Sequence, residues 1–125
     1  MLGEQQITVL CLQETDRRHD GLRSVLTSHG YKVLCVSAAD HGVAFMMNNH
    51  VDAIVLDGQA MPGSDFSVAQ TFKMLKPSVL ILLLEADCKR WKNVPLPAGI
   101  DAVCGRTPEE CVPSLQRLLK DLSVA

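Results

Sequence analysis

Short apolar runs alternate along this chain with segments whose apolar residues recur at helical spacing. The runs are Ile7–Leu12, Lys32–Val36, Val51–Leu56, Val79–Leu84 and Ile100–Cys104, several of them rich in Val and Ile. Uninterrupted apolar stretches of that length suit strands buried on both faces. Between them, Asp16–His29 puts Leu22, Val25 and Leu26 on one face, with Gly30 as terminator. A second helix is predicted from near Ser37, carrying Val43, Ala44, Met46 and Met47. A third is predicted from Ser64, a good N-cap, with Val68, Ala69, Phe72 and Leu75 inward. The last has the clearest start. Thr107 can cap it, Pro108 suits the first helical position, and Glu110 completes a T-x-x-E box. Its stripe is Cys111, Leu115, Leu118, Leu119 and Leu122. The fourth crossover differs: Pro95 and Pro97 forbid a long helix, so Cys88–Asn93 should make a short or distorted one before an extended loop.

Strands alternating with helices at these spacings predict an α/β fold, a doubly wound five-stranded parallel sheet. Right-handed crossovers then place any site at the carboxyl ends of the strands, near the switch in strand order. No internal repeat, linker or low-complexity tract divides residues 1–125, so a single domain is expected. Composition adds little against this: 47% hydrophobic and 21% charged residues are ordinary for a globular chain. A net charge of −2 without a long Lys/Arg block points to neither nucleic acid nor membrane as a partner. Met1–Gln6 is polar, so no secretory signal is expected, and Val79–Leu84 is too short to span a bilayer. A cytoplasmic location follows as an expectation. Five cysteines without a C-x-x-C pair fit neither a disulfide framework nor a zinc site. Cys11, Cys35 and Cys104, inside apolar runs, are expected to be reduced and to pack as small hydrophobes.

The strand ends hold the candidate chemistry. Gln13-Glu14 follows the first strand, and the third runs Val51-Asp52-Ala53-Ile54-Val55-Leu56 into Asp57, then Gly58-Gln59-Ala60-Met61-Pro62-Gly63. The fourth ends in Glu85-Ala86, and the fifth runs Gly99-Ile100-Asp101-Ala102-Val103-Cys104-Gly105-Arg106. In order and spacing these segments, from Ile7 to Leu122, resemble the receiver domain of bacterial response regulators. The resemblance implies a flavodoxin-like (βα)5 fold with Asp57 as the phosphoacceptor position. In that family a magnesium ion and a fixed cation neutralise charge on the transferred phosphoryl group. A hydroxyl on the fourth strand and a lysine on the fifth bind its oxygens.

Measured against the resemblance, five positions depart. Gln13 and Glu14 replace an acidic pair, so Glu14, Asp57 and Gln59 are the positions left to hold Mg2+, weakly if at all. Glu85 stands where a hydroxyl belongs; a carboxylate donates no hydrogen bond unless protonated and repels a phosphoryl group. Arg106 stands where lysine is expected, a larger and planar cation. Met61-Pro62 lies one residue further from Asp57 than usual, and Val103 replaces the aromatic switch residue of many receivers. Glu85 and Arg106, at neighbouring strand ends, are expected to compensate each other as a bidentate ion pair.

Other features weigh less. Asp16-Arg17-Arg18-His19 resembles a cobalamin-binding signature, but its spacing is wrong and no Gly-Gly follows the fourth strand. His29 and His50 are expected at the surface, and Met46, Met47 and Met74 as core or groove filling. Lys89, Arg90, Trp91 and Lys92 are candidates to grip an acidic or phosphorylated partner; the favoured reading of such a run is a solvated helix face with the ring on the core. No Ser-His-Asp set, P-loop or G-x-G-x-x-G occurs, so a non-enzymatic module is expected. The resemblance implies an atypical receiver of a two-component phosphorelay acting through a protein: a histidine kinase, a phosphotransfer protein or a downstream effector. The alternative is a phosphorylation-independent pseudo-receiver that binds its partner constitutively. A homodimer stays open under both.

Overall fold

Each apolar run becomes a strand of one parallel sheet. In the computed structural model, which describes residues 6–13, 20–57, 67–85 and 88–124, the strands are β1 (Thr8–Leu12), β2 (Lys32–Val36), β3 (Ala53–Asp57), β4 (Leu80–Leu84) and β5 (Ala102–Cys104). The helices are α1 (Asp20–Ser28), α2 (Ala39–Asn48), α3 (Ser67–Leu75) and α4 (Pro108–Val124), with a 3-10 helix at Cys88–Trp91 in the fourth crossover. That single turn is the short fourth helix foreseen from Pro95 and Pro97. The strand order is β2-β1-β3-β4-β5, so the order reverses between β1 and β3.

Burial on both faces explains the unbroken apolar runs. One core layer joins Val9, Cys11, Val55, Leu82 and Leu84 to Leu22 and Leu26 of α1 and to Cys111, Leu115 and Leu119 of α4. The other joins Leu10, Leu12, Ile54, Leu56, Ile81 and Leu83 to Ala69 and Phe72 of α3. Consecutive strand residues go to opposite layers, as the pleat requires. Gly30 does end α1, at φ 91°, with its N–H on the Thr27 carbonyl. Gly99 holds φ 89° where a Cβ would lie 3.0 Å from the Ala69 backbone carbon, so the approach to β5 needs glycine twice over.

Some boundaries and burials differ from the sequence reading. β3 starts at Ala53 and β5 at Ala102, although the Asp52 and Asp101 N–H groups just before them still bond the Thr8 and Ile81 carbonyls. The expected helix starts at Asp16 and Ser64 lie outside the described residues. Cys35 is exposed rather than packed, because β2 is an edge strand whose residues are less completely covered. Met74 is 83% exposed and Met47 70% exposed, at the ends of α3 and α2, so neither fills the core; Met46 alone packs against it. Among the described residues no helix is long and apolar enough to cross a membrane.

The acidic residue just before β3 and the one just before β5 pin the strand register. Asp52 Oδ2 accepts from the Thr8 N–H at 2.9 Å, while its Oδ1 meets His50 Nε2 at 2.7 Å. Asp101 Oδ2 accepts from the Ile81 N–H and from Lys73 Nζ, both at 2.8 Å. Each carboxylate thus occupies a backbone donor of the neighbouring strand at the amino edge of the sheet. Asp101→Ala strands the Ile81 N–H and should lower unfolding free energy by about 2 kcal/mol, read by urea denaturation. A loss within about 0.5 kcal/mol would mean the register is set by packing alone.

Candidate functional site

The carboxyl edge of the sheet gathers the candidate residues. Asp57 ends β3 and is wholly buried. Its register partner is Leu84, so Glu85 follows at the end of β4, where its N–H bonds the Cys104 carbonyl at 3.0 Å. Arg106 lies two residues past Cys104. Its Nη2 donates to Asp57 Oδ2 at 3.0 Å, with the arginine side chain 22% exposed. The guanidinium therefore reaches across the end of β4, about 10 Å in strand spacings, to neutralise the acid on β3. Arg106 Nε is buried and meets no acceptor among the described residues.

That pairing corrects one expectation. No hydrogen bond or ion pair joins Glu85 to Arg106 among the described residues; the arginine is taken by Asp57. The physical reason lies in burial. Asp57 is fully enclosed whereas Glu85 is half-buried, and an enclosed carboxylate gains far more from a cation than one that still meets water.

Gln13 completes the visible part of the crevice. It follows β1, is 4% exposed, and its N–H bonds the Val36 carbonyl at 3.0 Å. A neutral amide is therefore enclosed where the strand order switches. Glu14 and Gln59, the other expected magnesium positions, lie outside the described residues. Among the described residues no three His, Cys, Asp or Glu side chains converge in a way that could hold a metal ion. The Asp57 carboxylate is already engaged by Arg106.

The β5–α4 turn that carries Arg106 is built from the T-x-x-E segment. The Glu110 and Cys111 N–H groups bond the Thr107 carbonyl at 3.1 and 2.9 Å, and Thr107 Oγ1 donates to Glu110 Oε1 at 3.1 Å. The Glu110 carboxylate lies over Gly105, where a Cβ would run into it. Behind the turn, the Cys104 thiol has its pKa lowered by a hydrogen bond from Cys111. The Cys111 thiol is raised by that same bond and by burial.

The cationic cluster of the fourth crossover is split by its environment. Lys89 and Lys92 are exposed. Trp91 is half-buried and packs, with Leu96 and Val103, against the α3-side core layer. Nothing is described of the Arg90 side chain.

No family model and no curated protein matches this sequence. Solved structures do match in fold. The signal receiver domain of an HD domain-containing protein from Pseudomonas fluorescens superposes with TM-score 0.79 at 14% identity, over 97% of this chain and 100% of that one. The response regulator TrrA of Thermotoga maritima, in complex with Mg2+-BeF, gives TM-score 0.73 at 19% identity, over 94% and 99%. The chemotaxis response regulator CheY4 of Vibrio cholerae gives 0.72 at 20%, over 91% and 99%. TrrA was also solved in complex with the histidine kinase ThkA, and that chain gives 0.72 at 18%, over 91% and 99%. The fold is that of response-regulator receiver domains, flavodoxin-like in strand order.

Since the Trp91 ring packs on the core, Trp91→Ala should cost about 2 kcal/mol of stability, less than for a fully enclosed ring. Lys89→Ala, at an exposed position, should stay within about 0.5 kcal/mol. Thermal or urea denaturation of both variants checks the contrast. Equal, small effects would place the ring at the surface.

Proposed function

We propose that this chain is an atypical receiver module of a two-component phosphorelay, with Asp57 in the acceptor position and output through protein binding. The observation that carries the reading is the Asp57–Arg106 pair. It puts the acidic residue of β3 and a cation from the end of β5 within hydrogen-bond distance, at the switch point of a receiver fold. That is where charge on a transferred phosphoryl group would need neutralising. Arg106 holds a second donor, Nε–H, beside the acid. Magnesium, when bound, would supply the remaining positive charge, with Glu14, Asp57 and Gln59 as its protein positions.

The partner follows by analogy with TrrA and its kinase: a histidine kinase, a phosphotransfer protein or a downstream effector. The exposed Lys89 and Lys92 offer cations to an acidic surface on it; Trp91 supports them from the core side. The module works in the cytoplasm as a binding and switching domain, not as an enzyme.

Glu85 favours a second reading. A carboxylate on the strand beside Asp57 adds negative charge where a phosphoryl group would add more. With Arg106 already on Asp57, the buried acid has its counter-charge without phosphate, which suits a pseudo-receiver that binds its partner in one fixed state.

Titrating magnesium and beryllofluoride while following amide chemical shifts separates the two. An active receiver should show saturable shifts at Asp57 and Arg106. Its magnesium dissociation constant should be at least about tenfold weaker than with a full acidic set, near 1.4 kcal/mol. No shift at saturating beryllofluoride selects the pseudo-receiver. Magnesium affinity equal to that of receivers with an acidic pair would overturn the assigned ligand positions.

A further inference from the structure

Four cysteines with described side chains lie in the strands and the last helix, and these four are thiols. Three are buried. Cys35 alone is exposed, and its register partner across the β1–β2 ladder is Cys11, which is wholly enclosed. Register partners on adjacent parallel strands project to the same face, and neighbouring strands lie about 4.7–4.9 Å apart. Disulfides span Cα separations of about 4.4–6.8 Å. The sheet therefore presets the separation that a disulfide between these two residues requires.

We propose that Cys11 and Cys35 are a peroxide-responsive dithiol that closes reversibly to a disulfide between β1 and β2. Cys35 is the sulfur that an oxidant meets; Cys11 is the resolving thiol behind it. Cys11 keeps its proton, because its S–H is hydrogen-bonded to Cys35 and burial disfavours the anion, which raises its pKa. Division of labour follows from exposure and from that proton.

The chemistry balances in two steps. The Cys35 thiolate attacks one oxygen of hydrogen peroxide: an S–O bond forms, the O–O bond breaks, and the departing hydroxide takes a proton to leave as water. Cys35 is now a sulfenic acid. Cys11 sulfur then attacks Cys35 sulfur: S–S forms, S–O breaks, and hydroxide leaves as water with the Cys11 proton. Two thiols and one peroxide give one disulfide and two waters, and a thiol reductant reverses it.

The position gives the bond a consequence. Gln13, two residues beyond Cys11, is enclosed in the crevice and bonds Val36, the residue after Cys35. A disulfide one step back would clamp this end of β1 to the edge strand. The device needs no phosphoryl chemistry, so it stands or falls separately from the receiver reading.

Peptide mapping of the full chain tests it. The reduced protein is treated with stoichiometric hydrogen peroxide, quenched with iodoacetamide and digested without reductant. The expected result is a mass loss of two hydrogens per chain, a linked peptide pair containing Cys11 and Cys35, and full reversal by dithiothreitol. Cys35→Ser, at an exposed position, should abolish the mass loss. Cys11→Ala should leave Cys35 as a sulfenic acid captured by dimedone. Dimedone capture of Cys35 in the unsubstituted chain without a Cys11 link would overturn the proposal. So would mass loss that survives Cys35→Ser, or a link between Cys104 and Cys111 in its place.

Discussion

A carboxylate with no exposed surface has to find a cation, and at the end of β3 that constraint organises the candidate site. Burying an ion costs several kcal/mol even after relaxation, and a close partner recovers it only with good geometry. Arg106 supplies that partner at 3.0 Å. To do so, β5 must stop at Cys104, the chain must turn through Gly105, and α4 must start from the Thr107 cap with Glu110 folded over the glycine. The pair therefore couples the ends of β3 and β5 across β4, and the capping chemistry of the last helix serves the position of one guanidinium.

The opposite edge of the sheet follows the same electrostatic logic with a different result. Asp52 and Asp101 are spent on backbone N–H groups and on His50 and Lys73, fixing which residues of neighbouring strands face each other. Register set there decides what meets at the other end: Asp57 beside Leu84, and Cys11 beside Cys35. A one-residue slip would turn every strand side chain to the other layer. Chemistry at the carboxyl edge thus depends on ion pairs at the amino edge.

Much of this was legible in the residues. Runs such as Leu80–Leu84 are apolar without alternation because both faces are covered, and Pro95 and Pro97 announce the shortened fourth helix. The Thr107-Pro108 start was readable because caps are local chemistry. Pairings between strands were not. Glu85 and Arg106 look compensatory along the sequence, yet the arginine goes to Asp57, a choice made by relative burial that no spacing encodes. Cys35 reads as core in a run of apolar neighbours, and only the strand order reveals it as an edge residue. Leu75, expected inward, is exposed beside Met74 at the end of α3, so the buried face of that helix stops at Phe72.

The dependence on the Asp57–Arg106 pair is measured most directly by a double-mutant cycle in chemical denaturation, using Asp57→Ala, Arg106→Ala and the double variant. Arg106→Ala alone should cost about 3 kcal/mol, because it takes the cation from an enclosed carboxylate. The double variant should be less impaired than the sum of the single ones, with a coupling energy of about 2 kcal/mol. Strict additivity, with coupling indistinguishable from zero, would contradict the pair as the organising contact of this site.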